Sequence, residues 1–198
     1  MNVKTELLAT RGMKDAMQLN EVELDPFAIK AIMINEVVPV DPSQDFYGKP
    51  GADYSKSALF LFKNAGAKAE STYDLLREGV YLTNAVKVPK TDYAIEKSTI
   101  EASVPYLEAE IALFPNLQVI MLMGDVARKA FNMISKKETK KNAVPSISTY
   151  KLRRSEIRYN NVRIMPSYIM TGGNLLIEKS KVAMVTEDIA AMLSIVAR

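Results

Sequence analysis

Between Asn35 and Tyr47 the chain reads NEVVPVDPSQDFY, in which the carboxylates of Glu36 and Asp41 come ahead of an aromatic pair, Phe46 and Tyr47. Carboxylates so placed could orient or activate water, or hold a metal; capping a turn or a helix is the commoner use of either one. The aromatic pair could stack on a planar ligand or pin its own loop onto the fold. A second candidate is Asn84, at the end of the apolar run VYLTN. Its amide offers a donor and an acceptor together, which matches a lactam edge, and it could equally tie off strand backbone. Lys87 and Lys90 follow and could meet phosphate, though such lysines are usually solvated. In MGDVARKA, Gly124 permits close backbone approach and Asp125 suits the N-cap of the next helix, where its charge disfavours an anion. The turn Gly172–Asn174 could bring backbone to a phosphate or a base, or simply lead into the last helix.

These candidates need a frame. Four short, non-alternating apolar runs predict strands buried on both faces: Ile29–Ile34, Val80–Asn84, Val119–Met123 and Val162–Met165. Helical spacing appears in Ile100, Val104, Leu107 and Ile111, and again in Val185, Ile189, Met192 and Val196. Further helices are expected over Thr5–Gln18 and within Ser55–Ala65, Ser71–Arg77 and Asp125–Ile134. Alternating strands and helices imply a doubly wound α/β sheet. Ligands of such sheets bind beyond the carboxyl ends of the strands, and all the candidates above lie at strand exits.

Composition narrows the chemistry. The 198 residues carry 48% hydrophobic and 25% charged side chains, ordinary values for one globular domain. Cysteine and histidine are both absent. That excludes disulfides, thiolate nucleophiles, iron–sulfur ligation and the usual zinc ligands, along with the commonest proton-transfer group near neutral pH. Any catalysis rests on carboxylates, amides, hydroxyls, backbone donors or a hard cation. No G-x-G-x-x-G, G-x-x-x-x-G-K-[ST] or G-x-S-x-G motif is present. The net charge is +3, with nine lysines and arginines against two glutamates between Lys136 and Arg163, a segment suited to phosphate or to plain solvation. With no apolar run long enough to span a bilayer and no signal-like start, the expectation is a cytoplasmic protein away from membranes.

In order, the strand exits resemble those of the uracil-DNA glycosylase superfamily, and of its iron–sulfur branch most closely. Asn35–Pro39 echoes a motif of the G-E-A-P-G kind, with Glu36 on its glutamate. VYLTNAVKVPK resembles the strand whose asparagine reads the uracil edge, and Asn84 falls on that position. STIEASVPYLEAEIALFPNLQVIMLMGDVARKAF resembles the following helix, strand and G-x-x-A turn. VRIMPSYIMTGGN lies where the family carries its H-P-S or H-P-A loop. The likeness runs from about Ala28 to the C-terminus.

The resemblance implies a single-domain, three-layer α/β/α fold around a mainly parallel four-stranded sheet, covering residues 25–198 after a helical segment 1–24. It implies a monomer that acts on DNA without a cofactor, hydrolysing the glycosidic bond of uracil or another deaminated base flipped from the stack. Asn84 would read the base, Phe46 or Tyr47 would stack on it, and Glu36 or Asp41 would orient water. Lys87, Lys151, Arg153, Arg154, Ser167, Gly172 and Gly173 would contact DNA, and Met170 or Leu175 could wedge into the duplex. Two departures stand out: the cluster cysteines are missing, and Ile169 sits nearest the family histidine. Losing such a donor costs roughly 3–4 kcal/mol in the transition state, unless the hydroxyl of Tyr168 or Ser167 replaces it. A weak or inactive nucleic-acid-binding member and an enzyme of free nucleosides or nucleotides are the competing expectations.

Overall fold

A strand apolar on both faces needs cover on both, and the chain supplies it in two helical layers. The structure is a computed structural model that describes every residue except Asp15, Asp92, Tyr93, Asn174, Leu176 and Arg198. Its strands are β1 (Ala31–Val37), β2 (Val80–Val86), β3 (Val119–Met123), β4 (Ile157–Tyr159) and β5 (Val162–Ser167). They form one sheet in the order β2-β1-β3-β5-β4, parallel except for β4. The helices are α1 (Val3–Arg11), α2 (Asp53–Asn64), α3 (Thr72–Arg77), α4 (Lys97–Ala112), α5 (Asp125–Thr139), α6 (Thr149–Leu152) and α7 (Lys179–Val196).

Side chains alternate across the sheet as the pleat requires. Ile32, Ile34, Tyr81, Ile120 and Leu122 enter a core with α1, α4 and α5. Ala31, Met33, Leu82, Met121 and Met123 enter a second core with α2 and α7. The result is the expected three-layer α/β/α fold. The chain turns from β1 to β2 on one side and later reaches β3 on the other, so the switch point lies at the carboxyl end of β1.

Several elements differ from the sequence expectations, among them the short helix α6, which was not expected. The first helix ends at Arg11 rather than Gln18, because Gly12 takes φ 71° and its N–H closes on Leu8 O. Beyond it the chain folds back, with Val3 N–H donating to Val22 O and Leu24 N–H to Met1 O, and packs into the first core through Val3, Leu7 and Val22. β1 starts later and runs through Val37, so Glu36 belongs to the strand and not to the loop. A fifth strand, β4, pairs antiparallel with β5 through a two-residue turn in which Asn160 and Asn161 take φ 48° and 65°.

Beneath the sheet lies a buried ion pair. Lys87 Nζ sits 2.5 Å from Glu110 of α4, and their side chains are 2% and 0% exposed. Thr83 Oγ1 and Tyr81 OH both donate to Glu110, and Asn20 Nδ2 donates to Tyr81 OH at 2.8 Å. Removing one member strands a charge in the core, whereas replacing both with apolar groups is tolerated. Glu110→Leu should therefore destabilise the protein by about 3–5 kcal/mol in chemical denaturation, and adding Lys87→Met should restore most of the loss.

Candidate active site

The parallel register sets Asn35 directly beside Asn84 at the carboxyl ends of β1 and β2. Both side chains are buried and face the α2–α7 layer. Asn35 Nδ2 donates to Asn84 Oδ1 at 2.9 Å and to Thr171 Oγ1, beyond β5, at 3.0 Å. Asn84 Nδ2 in turn donates to the carboxylate of Asp45, at 2.9 and 3.1 Å to its two oxygens. The exits of β1, β2 and β5 thus meet in one buried polar network.

Asp45 reaches the network through the loop after β1. Asp41 starts a 3-10 turn, Pro42–Gln44, by accepting from Ser43 N–H and Oγ. Asp45 ends that turn, and its carboxylate also accepts from Phe46 N–H at 2.8 Å. Burial pushes the Asp45 carboxyl above the usual aspartate range, against the pull of its hydrogen bonds from Phe46 and Asn84 and of the Lys87 charge. Asp45 also lines a cleft of about 480 Å³ with Tyr47, Lys49, Met17 and Gln18. A carboxylate raised in pKa and hydrogen-bonded to an amide, in a residue that borders a cleft, can orient water or take up a proton once its partner yields.

The other candidates are placed as follows. Glu36 lies on the opposite face of β1 from Asn35, where its Oε1 accepts from Val126 N–H at 3.0 Å and caps α5. Burial raises its pKa, and a side chain at Gly124 (φ 104°) would collide with its carboxylate. The cap expected of Asp125 is thus supplied from β1; Asp125 is the first residue of α5 and pairs with Arg128. Asp41 is exposed and held by its turn, with its pKa lowered by the Ser43 hydroxyl.

Phe46 is 1% exposed and packs against Tyr54 with centroids 5.4 Å apart. Tyr47 stacks on Tyr81 at 5.8 Å and accepts from Leu82 N–H at 2.9 Å. Both rings pin the loop onto the fold, and Tyr47 also borders the cleft.

Several contacts assigned to DNA change their footing. Lys87 is buried in its ion pair and Ser167 is buried with Oγ donating to Asp188 at 2.5 Å, so neither faces a phosphate. Arg153, 5% exposed, is committed to Asp188 at 2.7 Å and Glu187 at 3.0 Å. Met170 and Leu175 are enclosed in the second core and cannot wedge into a duplex as placed. Lys151, Arg154, Gly172 and Gly173 are exposed, and Asn174 lies outside the described residues. Tyr168 is half-buried with the Lys181 ammonium 5.7 Å over its ring, and its hydroxyl has no hydrogen-bond partner among the described residues. Ile169 is 36% exposed beside it.

A strand-end site at the switch point of a three-layer sheet defines a class of enzyme-bearing α/β folds. The Uracil DNA glycosylase superfamily model matches residues 38–180, most of the chain, and the protein belongs to that superfamily. The matched region includes Asp45, Asn84 and Tyr168, and begins just after Glu36. No curated protein matches the chain. Among the described residues, no helix is long and apolar enough to cross a membrane.

Asparagine 35, Thr171 and Asp45 escaped the sequence reading because only the fold brings them to Asn84. A buried carboxylate of raised pKa costs stability above that pKa. The penalty is absent below the unfolded value of about 3.9, where both states are protonated, and complete above the folded value. Asp45→Asn should therefore raise Tm at neutral pH, with the gain shrinking toward zero near pH 4 in thermal melts.

Proposed function

We propose that the protein hydrolyses the N-glycosidic bond of uracil or another deaminated base in DNA. The observation that carries this reading is the buried Asn84 amide held against Asp45 at the edge of a cleft. On base entry, Asn84 Nδ2 exchanges the Asp45 carboxylate for a base carbonyl. The C1′–N bond breaks, its electron pair leaves with the base, and an oxocarbenium-like sugar develops. Asp45, released from Asn84, orients the water whose oxygen bonds C1′ and accepts its proton. The hydroxyl of Tyr168, without a hydrogen-bond partner among the described residues, would serve as donor to the leaving base, in the loop where the resemblance places a histidine. Superfamily membership supports the reaction class; the base and the DNA substrate belong to the proposal.

One observation favours a second reading, a DNA-binding member with little or no turnover. Ile169 stands where the resemblance puts the histidine, and in the free protein Asn84 is already satisfied by Asp45. A glycosylase assay separates the two. Oligonucleotides bearing uracil, hypoxanthine or xanthine should yield abasic product, and Asn84→Ala and Asp45→Asn should each lower kcat roughly 10²–10³-fold while remaining folded. Folded wild type that binds DNA but yields no product contradicts hydrolysis and favours the second reading.

A further inference from the structure

In the layer where α4 packs beside α5, a groove of about 510 Å³ opens between the two helices. Its floor is apolar: Val104 and Pro105 come from α4, and Met133 comes from α5. Pro105 stands inside its helix, where it has no N–H to offer the carbonyl of Glu101, another groove residue. The rim is basic. Lys136 and Lys137 border the groove from α5, and Lys97 borders it from α4. Lys97 pairs with Glu101 at 3.2 Å and Lys137 with Glu108 at 2.7 Å, whereas Lys136 has no carboxylate partner among the described residues. Lys129 and Lys136 flank Met133 at i−4 and i+3, so the three share one face of α5. Lys140 and Lys141 follow at the end of that helix, and all four of these lysines are exposed.

An apolar floor inside a basic rim narrows the choice of occupant. A DNA backbone would use the lysines and leave the floor bare, and among the described residues no aromatic ring lines the groove for a base to stack on. The strand exits also lie elsewhere. Helix α5 leaves the end of β3 and runs back along the sheet, which puts Met133 and Lys136 roughly two to three turns from those exits. A protein segment with apolar side chains on one face and carboxylates beside them matches floor and rim together. We propose that the α4–α5 groove docks an acidic amphipathic helix of another protein. Its apolar residues seat on Val104, Pro105 and Met133, and its carboxylates face Lys129, Lys136 and the lysines at the end of α5. Burial against the floor supplies affinity, and the exposed lysines steer the partner and set its orientation. The proposal is independent of the glycosidic chemistry at the strand exits.

Fluorescence anisotropy on the full chain tests this with a labelled synthetic helix that carries Leu at i, i+3, i+4 and i+7 and Glu or Asp elsewhere. Polyglutamate and a single-stranded oligonucleotide without a deaminated base serve as competing polyanions. Wild type should bind the amphipathic helix about tenfold or more tightly than polyglutamate, with affinity falling as salt rises. Lys129→Glu combined with Lys136→Glu should weaken that binding about tenfold, because the new carboxylates repel those of the helix. Met133→Gln keeps every charge and should weaken it about fivefold, through the lost apolar contact. Thermal melts accompany each variant; both lysines are exposed, so the charge-reversed pair reads docking even where Met133→Gln lowers Tm. No binding of the helix would overturn the proposal, as would equal binding of helix and polyglutamate that Met133→Gln leaves unchanged. Tighter binding of the oligonucleotide, abolished in the lysine variant, would make this face a nucleic-acid contact and overturn it too.

Discussion

The site depends on one constraint: the parallel pairing of β1 with β2 puts two asparagines side by side in a buried layer, and every polar atom there needs a partner. Asn35 and Asn84 satisfy each other in part; Thr171 and Asp45 complete the set. Because those two come from the loops after β5 and β1, satisfying the asparagines also fixes the loops. A one-residue slip in register would turn both amides to the other face and dismantle the site.

Two ion-pair clusters brace this network. Lys87 and Glu110 join the end of β2 to α4 beneath the sheet. On the β5 side, Arg153 and Ser167 converge on Asp188 of α7, whose carboxyl is raised by burial despite the arginine. Glu36 makes a third tie, from β1 to the start of α5. Lys87, Arg153 and Glu36, which looked like candidates for phosphate or water, therefore hold the frame. The residues that border the cleft include Asp45, Tyr47, Gln18 and Lys49.

The contrast explains what could be read in the sequence. The strands were legible because residues such as those of Val119–Met123 are apolar on both faces, and the order of strand exits pointed to the superfamily that the matched region confirms. Asn84 was legible as a polar residue closing an apolar run. Burial of Lys87 and Arg153 was not, because their partners Glu110 and Asp188 lie 23 and 35 positions away and meet them only in the fold. Helix α1 was overextended because charged and apolar residues continue past Gly12, whose positive φ ends it. The short β4 was missed because its half-buried, exposed, half-buried pattern carries little apolar signal. Asp45 was hidden by its neighbours: beside Asp41 in a polar loop it is one more acid until the turn buries it against Asn84.

The central claim is that Asp45 is a buried, ligand-responsive carboxylate bound to the base-reading amide. NMR titration of its carboxyl carbon would test this directly, in the free protein and with a strand containing 2′-deoxypseudouridine, whose carbon–carbon glycosidic bond is not hydrolysed. The account predicts titration above the usual aspartate range in the free protein, and a further rise when the base takes the Asn84 donor away. An ordinary aspartate titration, unmoved by the bound strand, would contradict it.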